Sequence, residues 1–164
     1  MEVYISFKKM FILKHFFVIM ALGGRHLMNI LFFILPKEKT HFIYDNFSLR
    51  QAIEKMENSG FTSVPIINKN GEYISTITEG DILRYVKSHE NLSLKNAEKI
   101  NVHEIEIKRE VKSIKVYEDI ENLLEIVLDQ NFVPIIDDMN HFIGIVTRKS
   151  IISYFIELRK KGEN

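Results

Sequence analysis

Ser63-Val-Pro-Ile-Ile-Asn-Lys-Asn-Gly-Glu-Tyr-Ile-Ser-Thr-Ile-Thr-Glu-Gly-Asp-Ile-Leu-Arg-Tyr-Val86 recurs without a gap as Phe132 through Phe155, 69 residues further along the chain. Eight of these 24 positions are identical, including all of Val64–Ile67 against Val133–Ile136, Thr78 against Thr147 and Tyr85 against Tyr154. An offset this long is not a solenoid period and indicates two copies of a small domain. The match continues upstream. Leu49, Ala52, Ile53 and Met56 correspond to Ile120, Leu123, Leu124 and Val127 once the second copy is shortened by two residues before Phe132.

Each copy reads the same way. Ser48-Leu-Arg-Gln51 is a capping box opening a helix. Leu49, Ala52, Ile53 and Met56 follow the i, i+3, i+4, i+7 spacing of a buried helical face. Asn58-Ser-Gly60 ends that helix, Val64–Ile67 has strand character, Asn68-Lys-Asn-Gly71 is hairpin-turn chemistry and Tyr73–Ile77 makes a second strand. Thr78 then caps a helix to about Ser88, with Ile82, Leu83, Tyr85 and Val86 expected inward. In the second copy Asp119 caps a helix, Val133–Ile136 and Phe142–Val146 are strands, and Thr147 starts the last helix. A leading strand is expected before each copy, around Thr40–Tyr44 and Ser113–Tyr117, with a polar connector from Lys87 to Arg109. The unit is β-α-β-β-α, written twice. So small a unit cannot cover its own sheet. Two copies packed through their sheets would bury the Val-Pro-Ile-Ile faces and create pseudo-twofold symmetry, with two clefts, each at a helix N-terminus.

Composition bounds the function. The 164 residues hold 22 Lys+Arg and 22 Asp+Glu, 46% hydrophobic residues and no Cys. Thiolate metal sites, disulfides and a catalytic thiol are excluded, and the balanced charge argues against a nucleic-acid partner. The 7 glycines are scattered, with no phosphate-cradling loop of P-loop or dinucleotide type. The six His show no H-x-x-x-H or H-E-x-x-H spacing, so no metal is expected. No nucleophile elbow or catalytic constellation stands out, and the chain is not expected to be an enzyme. Residues 1–27 differ from the rest. They carry Lys8, Lys9, Lys14 and Arg25 against Glu2, and the apolar run Met10–Leu22 is broken by Lys14-His15. That run is too short for a bilayer, which needs about 20 apolar residues. Gly23-Gly24 can be encoded by a purine-rich ribosome-binding sequence just ahead of Met28, so residues 1–27 are expected to be a mis-assigned start. A signal or membrane anchor is the alternative, with a genuine extra helix behind it, and a membrane partner depends on the anchor. The expected organisation is 1–27 as this extension, 28–90 as the first domain, 91–109 as the connector and 110–164 as the second domain.

The pattern h-P-h-h-[DN]-x-x-G-x-h-h-G-h-h-T-x-x-D after a capped helix resembles the CBS domain, and two tandem copies resemble a CBS pair, or Bateman module. The likeness spans about Pro36–Glu157. Ile107-Lys-Arg109, Asp129-Gln-Asn-Phe-Val-Pro-Ile-Ile136 and Ile145-Val-Thr-Arg-Lys149 look like small stand-alone bacterial members, some of which bind cyclic di-AMP or adenine mononucleotides. The resemblance implies an α/β (α+β) pair of units forming a homodimeric disc. It implies a regulatory adenine nucleotide of the AMP/ATP type or cyclic di-AMP, no required cofactor, no catalysis, an unknown effector protein and a cytoplasmic location. The alternative is a ligand-free dimeric interaction scaffold.

The resemblance also names residues. Thr78 and Asp81 would contact phosphate and ribose, since a helix N-terminus presents free N–H groups to an anion and a carboxylate accepts from ribose hydroxyls. The same T-x-x-D spacing is equally a plain helix cap. The second copy keeps Thr147, but Ser150 replaces the Asp, while Arg148 and Lys149 occupy the first turn of the last helix. Cations there oppose the helix dipole by about 0.3–1 kcal/mol each, unless a phosphate reverses the sign. Otherwise they are an exposed basic pair. The expectation is a phosphate beside Arg148 and Lys149. The base would slot between Lys39, Thr40 and His41 and the segment Phe61, Thr62, Ser63 and Val64. Taken alone, His41 reads as an edge-strand residue and Phe61 as core. Arg109 is a weaker phosphate candidate. Ser75 stands where the family carries Gly, which Gly144 keeps, and a side chain there is expected to crowd the first cleft.

Overall fold

Ser48 starts the first helix as its pattern predicts. Its hydroxyl accepts from the Gln51 amide at 3.2 Å, and the Gln51 side chain accepts from the Ser48 amide at 2.9 Å. In the computed structural model, which describes residues 29–89 and 95–162, this box opens α1 (Leu49–Ser59), and Gly60 ends it at φ 69°. The reading of residues 1–27 lies outside the described residues. The chain continues through β3 (Ser63–Ile67), β4 (Tyr73–Thr78) and α2 (Glu79–Ser88), after the short β1 (Ile34–Pro36) and β2 (Ile43–Tyr44). The second copy supplies β5 (Ile114–Lys115), α3 (Ile120–Asp129), β6 (Phe132–Ile136), β7 (Phe142–Thr147) and α4 (Arg148–Gly162).

The strands form two sheets, β2-β3-β4 and β1-β7-β6-β5. Register repeats between them. Ile43 lies opposite Ile66 as Ile114 does opposite Ile135, so β2 and β5 are related by 71 residues and β3 and β6 by 69. Glu72 bridges His141, its own counterpart. The Tyr73 amide donates to Asn140 O at 2.9 Å and the Phe142 amide to Gly71 O at 2.8 Å. Each of these bonds is the image of the other under the 69-residue offset, so a local dyad passes between Glu72 and His141. Across it the Tyr73 and Phe142 rings stack with centroids 6.4 Å apart.

Three expectations need correction. The leading strands shrink to two residues each, because only Ile43–Tyr44 and Ile114–Lys115 find a parallel partner. Leu83 is 55% exposed, and its counterpart Ile152 is 52% exposed. A helix turns about 100° per residue, so with Ile82, Tyr85 and Val86 on the sheet side, Leu83 falls on the flank. The connector is not merely polar. Its Ala97, Val102 and Ile105 are buried in the core of the first unit, with Leu49, Ala52 and Val64. Reciprocally, Ile30 and Phe33 are buried in the core of the second unit, with Leu123 and Val133. Each unit's incomplete core is finished by the chain that leads into the other.

Candidate functional site

In the first unit Thr78 and Asp81 close a capping box. The Asp81 Oδ2 accepts from the Thr78 amide at 3.0 Å and the Thr78 hydroxyl at 2.6 Å, and Thr78 Oγ1 accepts from the Asp81 amide at 3.1 Å. The other oxygen, Oδ1, accepts from the Arg84 guanidinium and, at a long 3.5 Å, from the Lys108 amide of the connector. Asp81 is 1% exposed. Burial alone would push its carboxyl up, but the bonds from Thr78, Arg84 and Lys108 outweigh it and hold it below the ordinary value.

Beside this cap run Thr62 and Ser63. Thr62 O accepts from the Glu79 amide at 2.9 Å, and Ser63 lies opposite Thr78. Val64 is opposite Ile77 with its side chain in the core. Phe61 is 51% exposed, and its ring meets the His41 imidazole at 5.2 Å. The Thr40 hydroxyl donates to Lys37 O at 2.8 Å. Lys39, exposed, ends the 3-10 turn Lys37–Lys39, which packs on β7 of the other copy. So Thr62, Ser63, Thr78 and Asp81 come together, as do His41 and Phe61, whereas the turn ending at Lys39 leans toward the second unit.

The second unit is built differently. Thr147 Oγ1 accepts from the Ser150 amide at 3.0 Å, and the Ser150 hydroxyl donates to Thr147 O at 2.7 Å, so this cap carries no carboxylate. Arg148 turns back onto the end of α3, with Nε donating to Val127 O at 2.9 Å and Nη2 to Leu128 O at 3.3 Å. Arg109 does the same at Asp129 O, at 3.0 Å. Both arginines therefore serve the negative end of a helix. Lys149 is exposed.

A backbone difference separates the clefts. Gly144 has φ 155°, and a Cβ there would stand 2.3 Å from Leu35 O. β1 lies against β7 because Gly144 has no side chain. At the equivalent Ser75, among the described residues, no strand is paired on that side of β4. Instead a cavity of about 340 Å³ opens between β4 and the connector, lined by Tyr73, Ser75, Ile107, Glu110 and Val111 among others. The Tyr73 hydroxyl spans it, bonded to Thr76 Oγ1 at 2.9 Å and Val111 O at 3.0 Å, and burial pushes its pKa up to about 12. At Ser75 the connector stands across this cavity from β4.

Sequence reasoning missed Arg84, Lys108, Glu110 and Val111. The 71-residue offset of the leading strands carries Lys39, Thr40 and His41 onto Glu110, Val111 and Lys112, so the repeat itself held the signal. Among the described residues no group of His, Asp and Glu is arranged to hold a metal, and no helix is long and apolar enough to cross a membrane.

A family model for the CBS domain matches the chain twice, over residues 35–88 and 102–157. The second match starts within the segment expected to be connector. The chain belongs to the CBS-domain family. An uncharacterized protein of Methanocaldococcus jannaschii is 24% identical over 147 residues, covering 73% of this chain and 88% of the relative. Among solved structures, CbpB in complex with c-di-AMP aligns at TM-score 0.76 and 25% identity, covering 84% of this chain and 90% of that one. CBSX2 in complex with AMP aligns at TM-score 0.63 and 16% identity, covering 80% and 98%.

Proposed function

We propose that this CBS-domain protein is a regulatory adenine-nucleotide sensor, without catalysis of its own, that signals to an effector protein from the cytoplasm as a homodimer. The observation that carries this is the likeness to CbpB, whose structure holds c-di-AMP, over nearly the full described fold. The Thr78–Asp81 cap with Thr62 and Ser63 alongside supports it, offering the positive end of a helix for a phosphate and a carboxylate for ribose. Thr147 with Arg148 and Lys149 is the second, more cationic cleft. In the first unit Lys39, Thr40, His41, Phe61 and Val64 are the candidate base-side residues, the last through its main chain. Exposed Leu83 and Ile152, equivalent under the repeat, support self-association. A ligand shifts the equilibrium between conformations only by its differential affinity for them.

The ligand-free scaffold is the second reading, favoured by the fact that Asp81 and Arg148 already have protein partners. Thermal-shift screening with AMP, ADP, ATP, NAD, S-adenosylmethionine and cyclic di-AMP separates the two. Ligand at 100 times its dissociation constant adds about 2.7 kcal/mol of stability. A stabilising shift with at least one adenine nucleotide is expected; no shift across the panel overturns the sensor and leaves the scaffold.

A further inference from the structure

We infer that the connector at Lys108 is an autoinhibitory cover over Asp81, which a nucleotide entering the first cleft must displace. The inference rests on the nucleotide reading above and names how that site is regulated. It starts from the two oxygens of Asp81. Oδ2 is held by Thr78, three residues away on the same turn, and that box persists wherever the rest of the chain lies. Oδ1 is held by partners able to leave. Arg84 has a side chain 47% exposed, and the Lys108 amide sits at 3.5 Å, the weak limit of a hydrogen bond. A vicinal diol needs a free carboxylate oxygen, and in this conformation Asp81 is 1% exposed.

The cover is lightly fastened. The equivalent stretch of the first leading segment, Ile34–Pro36, is zipped to β7 by a strand ladder that Gly144 permits. Ser75 stands at that place in β4, and the connector forms no ladder there. It is held by the buried side chain of Ile105 and the half-buried Ile107 instead. Between the connector and α2 lies a cleft of about 650 Å³, bordered by Arg84, Tyr85, Lys87, Glu104, Glu106 and Lys108. Glu104 is occupied, its carboxylate accepting from the Asn101 amide at 2.8 Å. The space lets the segment move without first breaking the core. Displacement pulls on Val102 and Ile105, so occupancy of the cleft reaches the core of the first unit.

Trypsin reads this directly, because Lys108 and Arg109 are both cleavage sites within the cover. On the full chain, saturating AMP or cyclic di-AMP is expected to raise the rate of cleavage after Lys108 or Arg109 by about two- to tenfold, the range the loss of one hydrogen bond is worth. Arg84→Ala is expected to tighten AMP binding by about two- to fivefold, since a partly exposed ion-pair competitor for Asp81 is removed. A nucleotide that binds the wild type without changing cleavage, together with AMP binding that is equal or weaker in Arg84→Ala, overturns the cover and leaves the nucleotide reading intact. Binding to neither protein overturns both. The wild-type comparison with and without AMP decides the question even where the variant folds poorly.

Discussion

At position 144 the second unit has a glycine, and β1 lies across β7 as a fourth strand; at position 75 the first unit has a serine, and the connector stands off β4 over a cavity. The caps divide in the same way. Asp81 sits in a charged, buried network, whereas Ser150 closes its helix with neutral bonds alone. Two copies of one unit thus share a dyad and differ in chemistry. The shared parts, meaning the hairpins, the helix caps and the crossing bonds between Tyr73 and Asn140 and between Phe142 and Gly71, hold the fold. The unshared parts surround the clefts.

The strongest way to break this comparison is Gly144→Ala. The new methyl meets Leu35 O, and φ 155° is hostile to a side chain. Overpacking costs about 1–3 kcal/mol and a sparsely populated positive φ about 1–3 kcal/mol, so chemical denaturation is expected to show a loss of about 2–6 kcal/mol. Ser75→Ala, at the equivalent place, is expected to cost well under that, and equal losses at the two positions contradict the asymmetry.

Asp81→Ala comes next. It removes the acceptor of a buried network, worth about 1–3 kcal/mol, whereas Ser150→Ala removes one neutral bond that the Ser150 hydroxyl donates to Thr147 O, worth about 1 kcal/mol. The Asp81 carboxyl is held below its usual 3.8. Its folded form therefore binds the proton less readily than the unfolded form. The stability it contributes is complete above that value and is lost as the pH falls through the lower folded one. Wild type and Asp81→Ala, distinct near neutral pH, should converge in acid; a constant gap would assign the loss to packing instead.

Arg148→Ala removes two bonds to the carbonyls of α3, Val127 O and Leu128 O, and is expected to cost about 0.5–1.5 kcal/mol. The ligand dependence sharpens the point. If the second cleft takes the phosphates, this variant weakens phosphate-rich nucleotides more than Asp81→Ala does, and Asp81→Ala weakens ribose recognition more. Equal affinity of both variants for every nucleotide removes these residues from the site. Ser75→Gly is the mildest change: it lets the connector approach β4, and a small gain in protection of the Ile105–Ile107 amides from hydrogen exchange would show it.

Much of this was legible in the sequence because it is local. Ser48 with Gln51, Thr78 with Asp81 and Asn68 through Gly71 each declare a cap or turn within a few residues. The gapless repeat then implies the dyad. What stayed hidden depends on contacts between distant segments. Nothing near Ile34–Pro36 says that its strand partner lies in the other copy, and Val102 and Ile105 look like isolated apolar residues in a polar stretch until the unfinished core of the first unit claims them. The roles of the basic residues were hidden for the same reason. Arg148 and Arg109 read as phosphate-binding side chains by position, yet the carbonyls of Val127, Leu128 and Asp129 are within their reach. Only the fold reveals that competition.

Calorimetric titration of the full-length protein with cyclic di-AMP and with AMP tests the central claim most directly. Saturable heat from at least one of them, reduced in both Asp81→Ala and Arg148→Ala, is the predicted result. Featureless dilution heats for both nucleotides, with the protein folded throughout, would contradict it.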